Sequence, residues 1–173
     1  TNDPDKKIGY AYQLFDQQQR PLPAEKLIRE SIDIYKSKEN SLGLAEAYRA
    51  YGFFFRSAAI EKWNKYYKSN GFMEEVATFE SRHDKSIEYF EKAESIYLEN
   101  NKYDALTNIY LNMGFTYEFA KNNQKACDEY KKSLISNQEH MKLNPDFRMT
   151  LPSDFDTYED YVKVHLKRLN CKS

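Results

Sequence analysis

Three histidines, two cysteines and two close acidic pairs are the residues whose chemistry is easiest to name, and their spacing gives them little to do. His83, His140 and His165 stand apart. None lies three or four residues from another His or Cys, so no zinc-binding spacing forms. Glu74-Glu75 and Asp154 with Asp156 do not fit a calcium loop. They read better as first-turn charge and a helix cap, where a helix dipole favours negative groups. There is no glycine-rich phosphate loop, no G-x-S-x-G and no Cys/His catalytic context. The sequence therefore predicts no catalytic residue, no metal, no cofactor and no enzyme. Cys127 and Cys171 read as unpaired thiols, with a single disulfide in an exported protein as the alternative.

Binding chemistry is the sharper signal. Lys62, Trp63, Lys65, Tyr66, Tyr67 and Lys68 place three rings among three lysines. Such a surface suits an acidic partner, a membrane surface or nucleic acid. Glu74 and Glu75 cancel part of the charge nearby, which weakens the membrane reading. No basic stripe continues elsewhere, so nucleic acid is not expected as a partner. The bland alternative is that the rings pair with Phe72, Met73 and Val76 while the lysines face water.

Bulk composition agrees with a helical interaction protein. The 173 residues carry a net charge of −1, with 31% charged residues of mixed sign. That is a solvated-helix composition rather than a nucleic-acid footprint. Five Gly and five Pro favour long helices over a many-turned sheet fold. No apolar run approaches the roughly 20 residues that a membrane span needs. The first residue is Thr1 rather than Met, which a removed leader or a chosen boundary explains equally. Cytoplasmic and exported, lipid-tethered locations both stay open.

The elements follow from one repeated pattern. Tyr110, Met113, Gly114 and Tyr117 are followed by Ala126, Tyr130 and Ser133. Gly114 removes a side chain where two helices approach, Ala126 and Ser133 do so on the partner helix, and Tyr117 and Tyr130 fill the gaps. The same template fits Ile8, Ala11, Tyr12, Phe15, Ala24, Ile28 and Ser31, with Tyr12 in the glycine's place, so that crossing should be looser or shifted. A third copy starts at Tyr48, Tyr51, Gly52 and Phe55. It resumes at Ser86, Phe90 and Ala93, about 22 residues late. Trp63, Tyr66 and Tyr67, then Phe72, Val76, Phe79 and His83, continue a helical period on either side of Ser69-Asn70-Gly71. The simplest expectation is a long projecting hairpin of two rods, 42–69 and 72–99, with Trp63, Tyr66 and Tyr67 at its tip. A last helix over 157–170, capped by Asp156 or Thr157, should cover the open end.

These motifs resemble the tetratricopeptide-repeat family, in its bacterial variant with repeats of about 40 residues. The resemblance covers 5–140, as repeats 5–38, 45–100 (with the insertion 58–80) and 107–140, followed by the capping helix 157–170. The consensus Trp and closing Pro are missing from every copy. The resemblance implies an all-α solenoid, a single domain over 1–173, and a non-catalytic adaptor that captures a partner peptide in a concave groove. Its groove residues would be Gln13, Asp16, Arg49, Phe53, Arg56, Asn108, Leu111, Asn112, Phe115 and Phe119. Arginine beside rings suits an acidic ligand. The basic clamp of co-chaperone repeats is not matched, since Gly9, Gln13, Ala50, Asn108 and Asn112 stand at its positions. A structural subunit of a bacterial envelope or secretion machine and a peptide-sensing regulatory domain are the alternatives. Exposed rings also allow homodimerisation.

Overall fold

The computed structural model describes all of residues 1–173 and is all-α. The helices are α1 (Pro4–Tyr12, continued by a π turn over Gln13–Gln17), α2 (Pro21–Ser37), α3 (Ser41–Phe55), α4 (Ala58–Lys62), α5 (Asn64–Asn70), α6 (Arg82–Glu99), α7 (Tyr103–Phe119), α8 (Asn123–Leu143) and α9 (Tyr158–Arg168). Contacts group them into two compact units, Thr1–Ile96 and Tyr97–Ser173.

In the first unit, Asp3 caps α1 by accepting from the amides of Asp5 and Lys6. Pro21 opens α2, where its missing N–H costs nothing. The π turn begins directly after Tyr12, the position where the pattern wants a glycine. The Gln18 amide reaches back five residues to the Gln13 carbonyl at 3.0 Å, which takes one more residue per turn than an α-helix. The core is aromatic: Tyr51, Phe54 and Phe55 of α3 are fully buried, and Tyr51 stacks on Phe55 with centroids 4.6 Å apart. Each such ring contributes about 1.5–3 kcal/mol through burial.

Glycines sit where the pattern put them. A Cβ on Gly52 would lie 2.7 Å from the Phe90 ring, and one on Gly114 would lie 2.3 Å from the Tyr130 ring. The two crossings are equivalent in sequence and alike in packing. Serines stitch them: Ser86 donates to the Gly52 carbonyl at 2.7 Å, and Ser133 to the Thr107 carbonyl at 2.7 Å.

The long hairpin is not what forms. α3 stops at Phe55, the Ser57 amide and hydroxyl both return to the Phe54 carbonyl, and the chain continues as the short helices α4 and α5. Residues 71–81 are turns and bends rather than a rod, with Gly71 at φ +68°. The reason is burial. Ala59, Ile60, Tyr67, Ala77 and Phe79 are all in the core. A two-rod projection could not cover them, whereas folding the insertion back onto α1, α2 and α3 does. Val76, assigned to an apolar stripe by its spacing, is 72% exposed.

In the second unit, α7 and α8 form an antiparallel pair and α9 packs against it through Tyr158 and Val162. Thr157 caps α9 by accepting from the Asp160 amide at 3.1 Å, as its sequence signals. The residues after α9 are tied back by a disulfide between Cys127 and Cys171. This corrects the reading of two unpaired thiols: they form one disulfide. No helix is long and apolar enough to cross a membrane.

Candidate functional site

The groove residues expected from the first two repeats come together on one surface of the first unit. Tyr12 of α1 meets Phe53 of α3 edge-on, with centroids 6.1 Å apart. The Arg56 guanidinium lies 5.0 Å above the Phe53 ring, a cation–π contact. Arg49 pairs with Glu46, one turn away on the same helix, at 2.5 Å. Burial pushes the Tyr12 hydroxyl up to about 12, opposed by the nearby positive charges of Arg49 and Arg56 and reinforced by Glu46 and Asp16. The surface therefore holds two arginines and two rings, with Glu46 and Asp16 at its edge. Phe53 is half-buried, because Phe90 packs edge-on against it at 5.1 Å. Gln13 and Asp16 are exposed beside it.

The expected residues of the third repeat lie on α7 in the second unit, and α9 shares their surface. Phe115 contacts Tyr130 and the His165 ring, at 5.8 and 5.2 Å. Burial holds His165 below its ordinary value. Asn108 and Leu111 line a cleft with Met149, Leu151 and Tyr161, so the segment after α8 crosses this part of the face. Asn112 is buried and donates to the Asn108 carbonyl at 2.8 Å. Phe119, at 53%, is the exposed ring of this set.

The three rings expected at a hairpin tip have other neighbours. Tyr67 is buried and stacks on Phe72 with centroids 4.4 Å apart. The Trp63 indole donates to the Gln19 carbonyl at 3.0 Å, and Tyr66 stands edge-on to both. Pairing of these rings with Phe72 is the bland alternative, and it holds for Tyr67. Val76, exposed, takes no part.

Sequence spacing missed a buried carboxylate, Glu25 of α2. Its Oε1 accepts from the Tyr51 hydroxyl at 2.9 Å, the Met73 amide at 2.8 Å and the Glu74 amide at 3.3 Å. Its Oε2 is buried without a partner. Burial raises its carboxyl above the ordinary range, with the three hydrogen bonds pulling the other way. Glu25 thereby fixes the start of the 71–81 segment on α2 and α3. The partners lie 26 to 49 residues away, beyond the reach of any local pattern.

Beside Glu25 lies a polar cleft of about 260 Å³ between α2, α3 and α6, lined by Arg29, Lys36, Tyr48, Glu74, Tyr89 and Lys92 among others. The Arg29 Nη1 is 3.5 Å from the Tyr51 hydroxyl and 4.0 Å from the Glu74 carboxylate. The Tyr89 hydroxyl donates to Glu74. Lys92 Nζ sits over the Tyr89 and Tyr48 rings, 5.0 and 5.7 Å from their centroids.

No protein-family model, no curated protein and no solved structure matches this chain.

Proposed function

We propose that the chain is a non-catalytic protein-interaction module of tetratricopeptide-like helix pairs, which captures an acidic partner segment on the surface formed by Tyr12, Arg49, Phe53 and Arg56. The carrying observation is the Arg56 guanidinium stacked over the Phe53 ring beside Tyr12. A flat cation on a half-buried ring offers a carboxylate-bearing segment both charge and an apolar floor. The shared glycine–ring crossings at Gly52/Phe90 and Gly114/Tyr130 support the repeat reading. Asn108, Leu111, Asn112, Phe115 and Phe119 form the corresponding face of α7, where Phe119 is the exposed contact. Partner segments are drawn from an acidic peptide library. Replacing Arg56 by Glu should weaken the selected peptide by about 1–3 kcal/mol in calorimetry of the folded variant. An unchanged affinity removes this surface from the account.

A second reading rests on the disulfide. Cys127 and Cys171 are bonded in unit two, and such bonds persist in oxidising compartments. This favours an exported assembly subunit, whose partner is an envelope component. Alkylation of the protein taken from its native cell tests it. Two thiols that resist labelling until reduction support the exported reading, and two labelled thiols reject it.

A further inference from the structure

We propose that the polar cleft between α2, α3 and α6 is a binding pocket for a single carboxylate group. The argument starts from charge. Three cations, Arg29, Lys36 and Lys92, line the cleft with two carboxylates, Asp33 and Glu74, and Glu88 beside it is already held by Lys85 at 2.8 Å, so the lining carries a surplus of one positive charge. A monoanion neutralises that surplus. A phosphate dianion would overshoot it beside Glu74, which already lies 4.0 Å from the Arg29 guanidinium.

Arg29 is the group with capacity to bind. Its contacts to Tyr51 and Glu74, at 3.5 and 4.0 Å, are both long. Arg168 shows what a saturated guanidinium looks like in the same protein, with a forked pair to Glu118 at 2.6 and 2.8 Å. A ligand carboxylate can give Arg29 that fork. Lys92 rests over two tyrosine rings, and its nearest carboxylate, Glu88, is 3.9 Å away. It stays available as a second charge.

The walls are built in advance. Tyr51 is fully buried and Tyr89 nearly so, and their centroids are 4.4 Å apart. Tyr51 donates to the buried Glu25 at 2.9 Å, so this wall is held from behind. Little ordering remains to be done when a ligand enters. The half-buried Tyr48 and the cleft's volume of about 260 Å³ admit an acidic side chain or a chain terminus together with its flanking residue. This pocket is distinct from the Arg56 surface and does not rest on the adaptor reading.

The test is a chemical-shift titration of the full, disulfide-bonded chain with four probes. Acetyl-Ala-Glu-Ala-amide carries only a side-chain carboxylate, and acetyl-Ala-Ala-Ala acid only a terminal one. Acetyl-Ala-Gln-Ala-amide is the neutral control, and inorganic phosphate is the dianion. At least one carboxylate probe should shift the signals of Arg29, Tyr48 and Lys92 saturably, about tenfold tighter than the neutral control. Whichever carboxylate binds more tightly identifies the source as side chain or chain end. Arg29→Met should weaken that probe about tenfold. If Arg29→Met fails to fold, the exposed Lys92→Met should weaken it about threefold. Arg56→Glu should leave these titrations unchanged, which separates this pocket from the adaptor surface. No saturable shift, equal binding of the neutral control, tighter binding of phosphate, or unchanged affinity in the folded Arg29 or Lys92 variant overturns the proposal.

Discussion

Glu25 and Gly114 show two ways in which a single residue fixes this fold. Glu25 gathers one hydroxyl and two amide donors onto one buried oxygen. Replacement by Leu strands those donors. The expected cost is about 2–4 kcal/mol in denaturant unfolding, mostly from the desolvated amides of Met73 and Glu74. Replacement by Gln keeps an acceptor of the same shape and should cost much less. Equal losses for the two variants would mean that volume, not hydrogen bonding, holds the 71–81 segment. Gly114 acts through absence: a Cβ there would meet the Tyr130 ring at 2.3 Å, with the ring fully buried. Gly114→Ala should destabilise by about 1–3 kcal/mol, with a smaller loss for Gly52→Ala, where the contact is 2.7 Å. Thermal melting of the two variants ranks them, and the reverse order would refute the crossing geometry. The two sites also differ in legibility. Gly114 stood in a local pattern of rings and small residues, so its role could be read from spacing. Glu25 sits in an ordinary stretch of α2, and its role exists only once Tyr51, Met73 and Glu74 have been folded around it.

Among the elements, α9 depends most on connections outside its own sequence. Its apolar residues Tyr158 and Val162 pack on the α7–α8 pair, and Tyr158 meets Ser133 at 2.5 Å. Arg168 forks onto Glu118 of α7, which also accepts from the Tyr130 hydroxyl of α8. The disulfide closes a loop of 44 residues. Chain-entropy arguments give such a closure about 4 kcal/mol. Reduction should therefore lower the unfolding free energy by an amount of that order, with hydrogen-exchange protection lost first along α9. Retained protection there would show that packing alone holds the helix. Helix ends repeat a common device. Glu39, Asn101, Lys121 and Asn170 adopt positive φ, and the following amide returns to the carbonyl five residues back, at Tyr35, Tyr97, Tyr117 and Leu166. The α7–α8 crossing was legible in spacing, from Gly114, Ala126 and Ser133. The insertion was not, because helical spacing over 58–80 is satisfied equally by two long rods and by short helices broken at Ser57 and Gly71. What decides is how many of its apolar residues need cover, and that depends on the faces α1, α2 and α3 leave open. The cap of α9 needed only local information, which left Asp156 and Thr157 as candidates, and Thr157 is the one that caps.

For the molecule as a whole, two of its carboxyls respond to pH in opposite directions. In the second unit, the Arg168 fork holds the Glu118 carboxyl below its ordinary value of 4.5. A carboxyl depressed by folding stabilises above its unfolded value, and that contribution is lost as pH falls through the folded one. In the first unit, burial raises Glu25 above 4.5. Its sign is reversed: the contribution is fully present below the unfolded value and is lost as pH rises through the folded one. The wild-type profile mixes both slopes, so each is read as a difference from a variant. Denaturant midpoints are compared from about pH 3 to about pH 8, on both sides of the ordinary carboxyl value. The advantage of wild type over Arg168→Met should shrink toward the acid end, because the fork disappears when Glu118 is protonated. The advantage of wild type over Glu25→Gln should instead shrink toward the neutral end, because the variant never buries a charge. If the second difference is flat across this range, Glu25 carries no raised carboxyl. If it grows toward neutral pH, the three donors outweigh burial and hold the carboxylate ionised.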